Sequence, residues 1–501
     1  MTYEEMITDL LSNPDKLIQK KPFTRGMDMN VLPTYPKDIE QNTLMTAYLP
    51  RYREEIVTQE QYMQELDPNS HNVLFDDNIP SICIKTDNGG YRDIKFLKMA
   101  IPFQRNIKNK QLLHLTGNKM KFTLVETNPT EAQTNAFIKF KQYWDLRNQD
   151  GMKTKMVDTQ LSLGDAGLLY YFNRRGEIKS RLLSYADGFV LCPHNDNNGD
   201  RILESVYYRR DDIEYIDSYD DIYMYRHVRN NEIIEGEESG WKLVAQERHG
   251  FNEIPLITKR GRVAWDNVQS IIESYEILYN VFNAIQRRMG WGLLYIKGKL
   301  KETAKKIAGS FILNDSSIEG KGDAKFLTPP TPNGTIDTLQ LMLENIQLGA
   351  STTFLLPKDV KVSGDISGIA IQLTQSLDIE NALQKVIEWQ NVADKMVRLF
   401  KYGLAIELTK KGEATALNDF ESLNINGQFT VWKPMNDYEY NQMLTIMTGA
   451  GILSKETGIQ RNTESAPDEN IRVRREKEEE RAYQQSFQQA QQQNSINSNG
   501  E

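Results

Sequence analysis

The stretch Ile336–Leu404 constrains this chain most, because it holds two amphipathic helical patterns with an irregular segment between them. Ile336, Leu339, Leu343 and Ile346 recur every three or four positions, which predicts a helix ending near Gly349. Beyond Ser367, Ile369, Leu373, Leu377, Leu383 and Ile387 keep a similar spacing and predict a second helix of about ten turns at ~3.6 residues each. Between them, Phe354, Leu355, Leu356, Pro357, Lys358, Asp359, Val360, Lys361 and Val362 mix apolar side chains with two lysines. A loop that only bridged two helices would be shorter and more polar, so this one is expected to carry function.

At 501 residues the chain is too long for one core, and several subdomains are expected. Its formal charge of -9 argues against a general nucleic-acid coat, since tight phosphate binding recruits an excess of Lys and Arg. DNA that passes without being gripped stays compatible with that charge. Cys83 and Cys192 are the only cysteines, so neither a disulfide framework nor a CxxC zinc site is expected, and a reducing cytosol is. The opening MTYEEMITDLLSNPDKLIQKK is acidic where a signal peptide is basic, and no apolar run reaches ~18 residues, so no membrane insertion is expected.

Along the chain, helices are expected over Tyr3–Gln19 and Asp38–Glu65, then a helix broken at Pro102 within Asp93–His114. A strand follows at Lys121–Glu126, then a helix to Trp144 that Thr130 is placed to cap. From Met152 to Ile257 the period becomes strand-like, with β-rich runs at Gly164–Phe172, Gly188–Cys192, Glu204–Arg209, Ile222–His227 and Trp241–Ala245 that predict an antiparallel sheet. Val263–Arg288 is again amphipathic, with Ile271, Tyr275, Leu278, Phe282 and Ile285 on one face and Glu273, Glu276, Asn280 and Gln286 elsewhere. Trp291–Pro332 reads as a compact α/β insertion, with a strand at Leu293–Lys297 and a helix around Glu302–Gly309. After Leu404 come a charged connector, a strand at Gln428–Lys433, a helix over Asp437–Thr448, a charged helix from Pro467 and a Gln-rich tail from Tyr483 that reads as disordered.

Little in the chain carries catalytic chemistry. The five histidines share no metal-ligand spacing, and Cys192-Pro193-His194 lacks a second half. Gly298-Lys299-Leu300 is no phosphate loop, Gly320-Lys321-Gly322 is a turn, and no GxSxG or HExxH occurs. Asp211, Asp212, Glu214, Asp217, Asp220 and Asp221 either place a Mg²⁺ ion, as a nuclease does, or form a solvated rim. The leading expectation is no catalytic centre, no metal and no cofactor.

Four stretches carry a family likeness: His249-Gly-Phe-Asn-Glu-Ile-Pro-Leu-Ile257, the helix from Asp266 to Arg288, Ser363-Gly-Asp-Ile-Ser-Gly368-Ile-Ala-Ile-Gln-Leu373, and Leu453-Ser-Lys-Glu-Thr457 followed by Asp468-Glu469. Their order over Glu131–Glu480 resembles the portal, or head-tail connector, proteins of tailed double-stranded-DNA bacteriophages, in the branch of long-tailed phages of Gram-positive hosts. Ile371-Gln372 departs from that pattern, where the family more often has Leu-Lys.

The resemblance implies an α+β portal-type fold: an N-terminal periphery over 1–130, an antiparallel-sheet wing over 131–262, stem helices at 263–289 and 336–349, and an α/β clip at 290–335. A tunnel loop at 350–366, a long helix at 367–408, a wing strand region at 409–436, crown helices at 437–483 and a tail at 484–501 complete it. By the same resemblance Phe354 to Val362 would face DNA, with Gly364 and Gly368 as a hinge to the long helix. The chain would form a dodecameric ring at one capsid vertex, assembled in the host bacterial cytoplasm and part of the virion. Its channel would pass DNA for packaging and ejection, and it would dock the terminase large subunit, a head-completion adaptor and the capsid or scaffold proteins. Twelve copies at -9 each total about -108, and an acidic lumen repels phosphate so that DNA slides. A metal-dependent nuclease or phosphoryl-transfer enzyme using the acids around Asp211–Asp221 stays open, as does another ring-forming head-tail adaptor, which would be shorter and lack the insertion between the stem helices.

Overall fold

The computed structural model describes residues 59–76, 82–85, 91–94, 97–126, 128–195, 198–210, 213–230, 242–289, 293–300, 305–307, 310–312, 318–327, 333–354, 372–434 and 437–461, with 473, 475–479 and 481. The chain divides into two compact units: Met1–Phe354 with Leu377–Trp432, and Leu355–Ser376 with Lys433–Glu501. In chain order the elements are α1 (Gln59–Leu66), β1 (Ile82–Lys85), β2 (Tyr91–Ile94), α2 (Phe103–Thr116), β3 (Lys121–Leu124), α3 (Glu131–Leu146) and α4 (Gln149–Leu163). The strands β4 (Asp165–Phe172), β5 (Ile178–Leu183), β6 (Phe189–Asn195), β7 (Arg201–Arg210), β8 (Ile213–Tyr219), β9 (Tyr223–Asn230), β10 (Lys242–Arg248) and β11 (Leu256–Arg260) follow. Then come α5 (Gln269–Met289), β12 (Leu293–Leu300), β13 (Lys305–Ile307), β14 (Ser310–Ile312), β15 (Ile318–Leu327), α6 (Asn333–Gly349), α7 (Ser376–Lys410), α8 (Ala416–Glu421), β16 (Ile425–Gln428), α9 (Asp437–Gly449) and α10 (Lys455–Arg461). The fold is α+β, as expected.

In the first unit β6 to β10 form an antiparallel meander in the order β10-β9-β8-β7-β6, and a second sheet runs β11-β4-β5. The two sheets share a small core of Leu183, Leu191, Val206, Tyr219, Ile254 and Leu256. The five strand runs read from the sequence correspond to β4, β6, β7, β9 and β10, while β5, β8 and β11 had escaped notice. Strand β8 is Ile-Glu-Tyr-Ile-Asp-Ser-Tyr, in which Glu214, Asp217 and Ser218 interrupt the apolar alternation.

Helix α3 begins where Thr130 was expected to cap it. Thr130 Oγ1 accepts from Gln133 N at 3.2 Å, and Gln133 Oε1 accepts in return from Thr130 N at 2.9 Å. The strand-like period expected from Met152 fails over its first twelve residues, which lie in α4. Asn148, at φ 50°, caps Gly151 N with its side chain, and Gly164, at φ 80°, ends the helix in the left-handed conformation that glycine favours. Helix α2 starts after Pro102, but the residues before it are not helical: Tyr91–Ile94 pairs antiparallel with Ile82–Lys85. The strand expected at Gln428–Lys433 lies three residues earlier, at Ile425–Gln428, paired with β3. Gly427 breaks the alternation there because α7 passes close, and a Cβ at that position would sit 2.7 Å from Val397.

The main core gathers on α7. Trp389, Val392, Ala393, Met396, Phe400, Leu404 and Leu408 are buried, and the Phe400 ring lies 5.2 Å from Trp144 and 5.7 Å from Phe140, edge to face in both pairs. Gly403 lets β5 approach, since a Cβ there would meet Ile178 Cδ1 at 2.2 Å. The face expected to be apolar core is offset from this stripe: Leu383 is 49% and Ile387 76% exposed. At ~100° per residue these two sit roughly 100–160° around the helix from Ala382, Trp389 and Phe400.

Two further expectations change. Glu276 and Asn280 of α5 belong to its buried stripe, not to a solvent face. Within 290–335, the helix expected at Glu302–Gly309 gives way to β13, paired with β14 (Lys305↔Ile312, Ile307↔Ser310), beside the longer pair β12 and β15. An isolated stretch of eight residues is too short to hold as a helix, whereas strand pairing satisfies its backbone across the hairpin. Among the described residues of that segment up to Leu327 there are only strands.

In the second unit α9 and α10 pack through Gly458 against Thr448, with Gly451 at φ 72° in the turn and Ser454 Oγ accepting from Thr457 N at 3.1 Å. Gln372 Nε2 donates to the Pro434 carbonyl oxygen at 3.1 Å in the same unit.

The end of α7 is tied by Glu407, which is fully buried and accepts from Arg147 Nη2 at 3.0 Å, Lys411 Nζ at 2.6 Å and Ile178 N at 2.9 Å. Glu407→Ala leaves the Ile178 N–H without its acceptor and Arg147 with Glu177 alone, 3.7 Å away, and a loss of about 1–3 kcal/mol in chemical denaturation is expected.

Candidate functional site at the end of helix α6

Leu355, Leu356, Pro357, Lys358, Asp359, Val360, Lys361, Val362, Gly364 and Gly368 lie outside the described residues. What is described is the place from which that loop departs. Helix α6 ends at Gly349, which allows close approach to the turn before α5: a Cβ there would lie 2.6 Å from Val268 Cγ1. The backbone then reverses through Ser351, a non-glycine residue at φ 48°.

Five side chains from α2 and α7 hold the next residues in place. Gln111 Nε2 donates to the Ala350 carbonyl oxygen at 2.9 Å, and its Oε1 accepts from Lys385 Nζ at 2.5 Å. Lys110 Nζ donates to the Thr353 carbonyl oxygen at 2.6 Å and lies 3.5 Å from Asp378 Oδ2. Asp378 accepts from Thr353 N at 3.2 Å, so both backbone polar groups of Thr353 are engaged by one charge pair. Asn381 Nδ2 reaches the Ser351 carbonyl oxygen at 3.5 Å. From α6 itself, Gln347 Oε1 accepts from Phe354 N at 2.9 Å.

Phe354 is half-buried, its ring 5.8 Å from Phe103, which in turn meets Tyr275 edge to face at 5.3 Å. The first residue of the predicted loop is therefore anchored on the body. Lys110, Gln111, Asp378, Asn381 and Lys385 escaped sequence reasoning. Asp378 lies in the first turn of α7, but the sequence periodicity starts that helix at Ser367 and so places it mid-helix, and a Gln on the buried side of α2 looks like any other helix residue.

Burial pushes the Lys385 ammonium down to about 8. The charged form is disfavoured inside, so this group costs stability at neutral pH and ceases to do so as it deprotonates.

Three of the acids considered for a metal, Glu214, Asp217 and Asp220, are engaged by other partners. Asp217 accepts from Arg226 Nε at 2.7 Å and Nη2 at 2.8 Å and from the Tyr208 hydroxyl at 3.2 Å. Glu214 lies 3.8 Å from Arg229, its partner across β8 and β9. Three positions apart on one strand, Glu214 and Asp217 point to opposite faces and do not share an ion. Asp220 accepts from the backbone N–H groups of Ile222 and Tyr223, while Asp211 and Asp212 lie outside the described residues. Burial, with Arg201 adding to it, pushes His194 down to about 3, and the Cys192 thiol donates to the Val190 carbonyl oxygen at 3.8 Å.

Residues 85–486 match the family described as "Phage portal protein, SPP1 Gp6-like". The chain belongs to this family of phage portal proteins. Among solved structures it is similar to a chain of the "Neck of empty GTA particle computed with C6 symmetry", at 12% identity and a TM-score of 0.35, over 71% of this chain and 88% of that one. A comparison with curated proteins found no match.

Because the folded ammonium of Lys385 sits near 8 against 10.5 for a free lysine, the unfolded chain binds more protons between those values and stability rises with pH through that window. Lys385→Met should flatten the rise, measured as the urea midpoint at pH 7.5 and pH 10.

Proposed function

We propose that this chain is the portal of a long-tailed phage of Gram-positive hosts. It forms a dodecameric ring at one capsid vertex, through which double-stranded DNA is packaged and ejected. The terminase large subunit and a head-completion adaptor dock on it, and capsid or scaffold proteins surround it. Membership of the family over 85–486 is the observation that carries this reading. In it α5 and α6 are the stem, the β12–β15 segment is the clip, the two sheets are the wing, α7 is the long helix, and α9 and α10 belong to the crown.

Uncovered apolar rows support a ring. Leu341 and Leu348 of α6 lie two turns apart at 58% and 61% exposure, and Leu383 and Ile387 of α7 lie one turn apart. Cyclic assembly buries such rows against the next copy. The reading gives the chain no catalytic role, since a portal works by geometry: the helices set the bore and the loop beyond Phe354 meets the DNA. Lys358 and Lys361 supply the positive charge for backbone contact without reading bases, in a lumen that net charge otherwise keeps repulsive to phosphate.

Electron microscopy of the purified chain should show rings with a central channel, and a monomer at micromolar concentration would overturn the proposal. Leu383→Asp with Ile387→Asp should yield folded monomers by circular dichroism and light scattering. In a packaging assay, Lys358→Ala with Lys361→Ala should weaken DNA retention, more so at low salt, and unchanged retention would leave the two lysines without a role.

A further inference from the structure

The side of α5 that meets the N-terminal segment is polar where a core stripe would be apolar. Glu276 and Asn280, one turn apart, are 2% and 3% exposed. Asn280 grips the backbone of Met99 with both ends of its amide, accepting from Met99 N at 2.8 Å and donating to the Met99 carbonyl oxygen at 2.7 Å. Glu276 Oε1 accepts from Ile101 N at 2.7 Å and lies 2.8 Å from His71 Nδ1. On the opposite side of the ring, His71 Nε2 lies 2.9 Å from the carbonyl oxygen of Glu65.

The hydrogen-bond inventory decides the protonation state. A neutral imidazole has one N–H, and a carbonyl oxygen can only accept. With both ring nitrogens at bonding distance from oxygen, two protons are needed between ring and carboxyl. Glu276 Oε1, the atom facing Nδ1, already accepts from the Ile101 N–H, so it stands as an acceptor and both protons belong to the ring. We infer that His71 is an imidazolium in the folded protein at neutral pH, and that this buried charge pair is a pH-sensitive latch holding residues 65–76 and 97–101 to α5.

The surroundings agree with that assignment. Burial alone would lower His71, but the hydrogen bond and charge of Glu276 outweigh it, and the net shift is upward. From α5 the ring faces Glu276; from the turn after α1 it feels Asp67, whose carboxyl is held below its ordinary range chiefly by the Asn69 N–H. Glu65 turns its carboxylate to Trp265 Nε1 at 2.7 Å, and from α2 Arg105 acts on Asp67. Carboxylates outnumber cations around the ring.

With the folded value above the free one, the latch is at full strength below about pH 6.5 and is lost as pH rises through the folded value. Only the placing of α5 in a ring stem rests on the portal reading; the latch does not, so it can fail or stand independently of ring formation.

Hydrogen exchange of the full chain, read by mass spectrometry at peptides covering 97–101 and corrected for the intrinsic pH dependence of exchange, tests it. Between pH 6 and pH 8 the wild-type peptides should lose protection by about tenfold relative to peptides of α7, whose protection should not fall over that range. His71→Gln should be pH-flat and poorly protected at 97–101. Glu276→Gln, which keeps an acceptor for Ile101 N, should give the same flat profile if the first variant folds poorly. Wild-type protection that does not change with pH, or a variant that follows the wild-type profile, would overturn the latch.

Discussion

Everything in the first unit is hung on the burial of the C-terminal half of α7. Phe400 meets Phe140 and Trp144 of α3, Gly403 admits Ile178 of β5, and Val397 lies against Gly427 of β16. A sheet edge, a helical layer and a returning strand thus depend on one helix surface. Apolar burial contributes roughly 1.5–3 kcal/mol for each large side chain, so a stripe with six such residues is the dominant cohesive element. The buried Glu407 then fixes where that helix stops by binding groups from α3, β5 and the following turn at once.

Periodicity made the long helices legible because their apolar spacing is set by local geometry. Strands were legible where aromatic residues clustered with few polar ones between them, as in the Leu-Leu-Tyr-Tyr-Phe run of β4, and illegible where acids interrupted the apolar residues, as in β8. What the sequence hid is which face of a helix meets which neighbour. Leu383 and Ile387 have the spacing of a core stripe, yet α7 buries another stripe because Trp389 and Phe400 are larger and lie beside aromatic partners. Asymmetry of volume, not spacing alone, decides between two apolar faces of one helix.

The candidate site was legible only as a loop with unusual composition. Its support is polar and distant in sequence: Gln111 and Lys110 lie more than two hundred residues from the backbone atoms they hold. The same holds for Glu276 and Asn280, which look like solvent-facing residues until the Met99–Ile101 segment is laid against them. Inside a protein such groups are retained only when each hydrogen-bonding atom finds a partner, and a lone sequence does not show the partner. Buried polar residues that hold backbone atoms of another segment form a class that helical periodicity systematically assigns to the surface.

The chain leaves α6 under the control of residues that are not part of the loop. Lys110, Gln111, Asp378, Asn381 and Lys385 all act on backbone atoms from Ala350 to Thr353 or on one another, and a bond to backbone is indifferent to the side chain it passes. The starting point of the segment beyond Phe354 is thereby separated from its own sequence. Length and composition there can drift, or be exchanged wholesale, while the point of departure is preserved, which makes this junction a natural socket for grafting loops of different chemistry onto one scaffold.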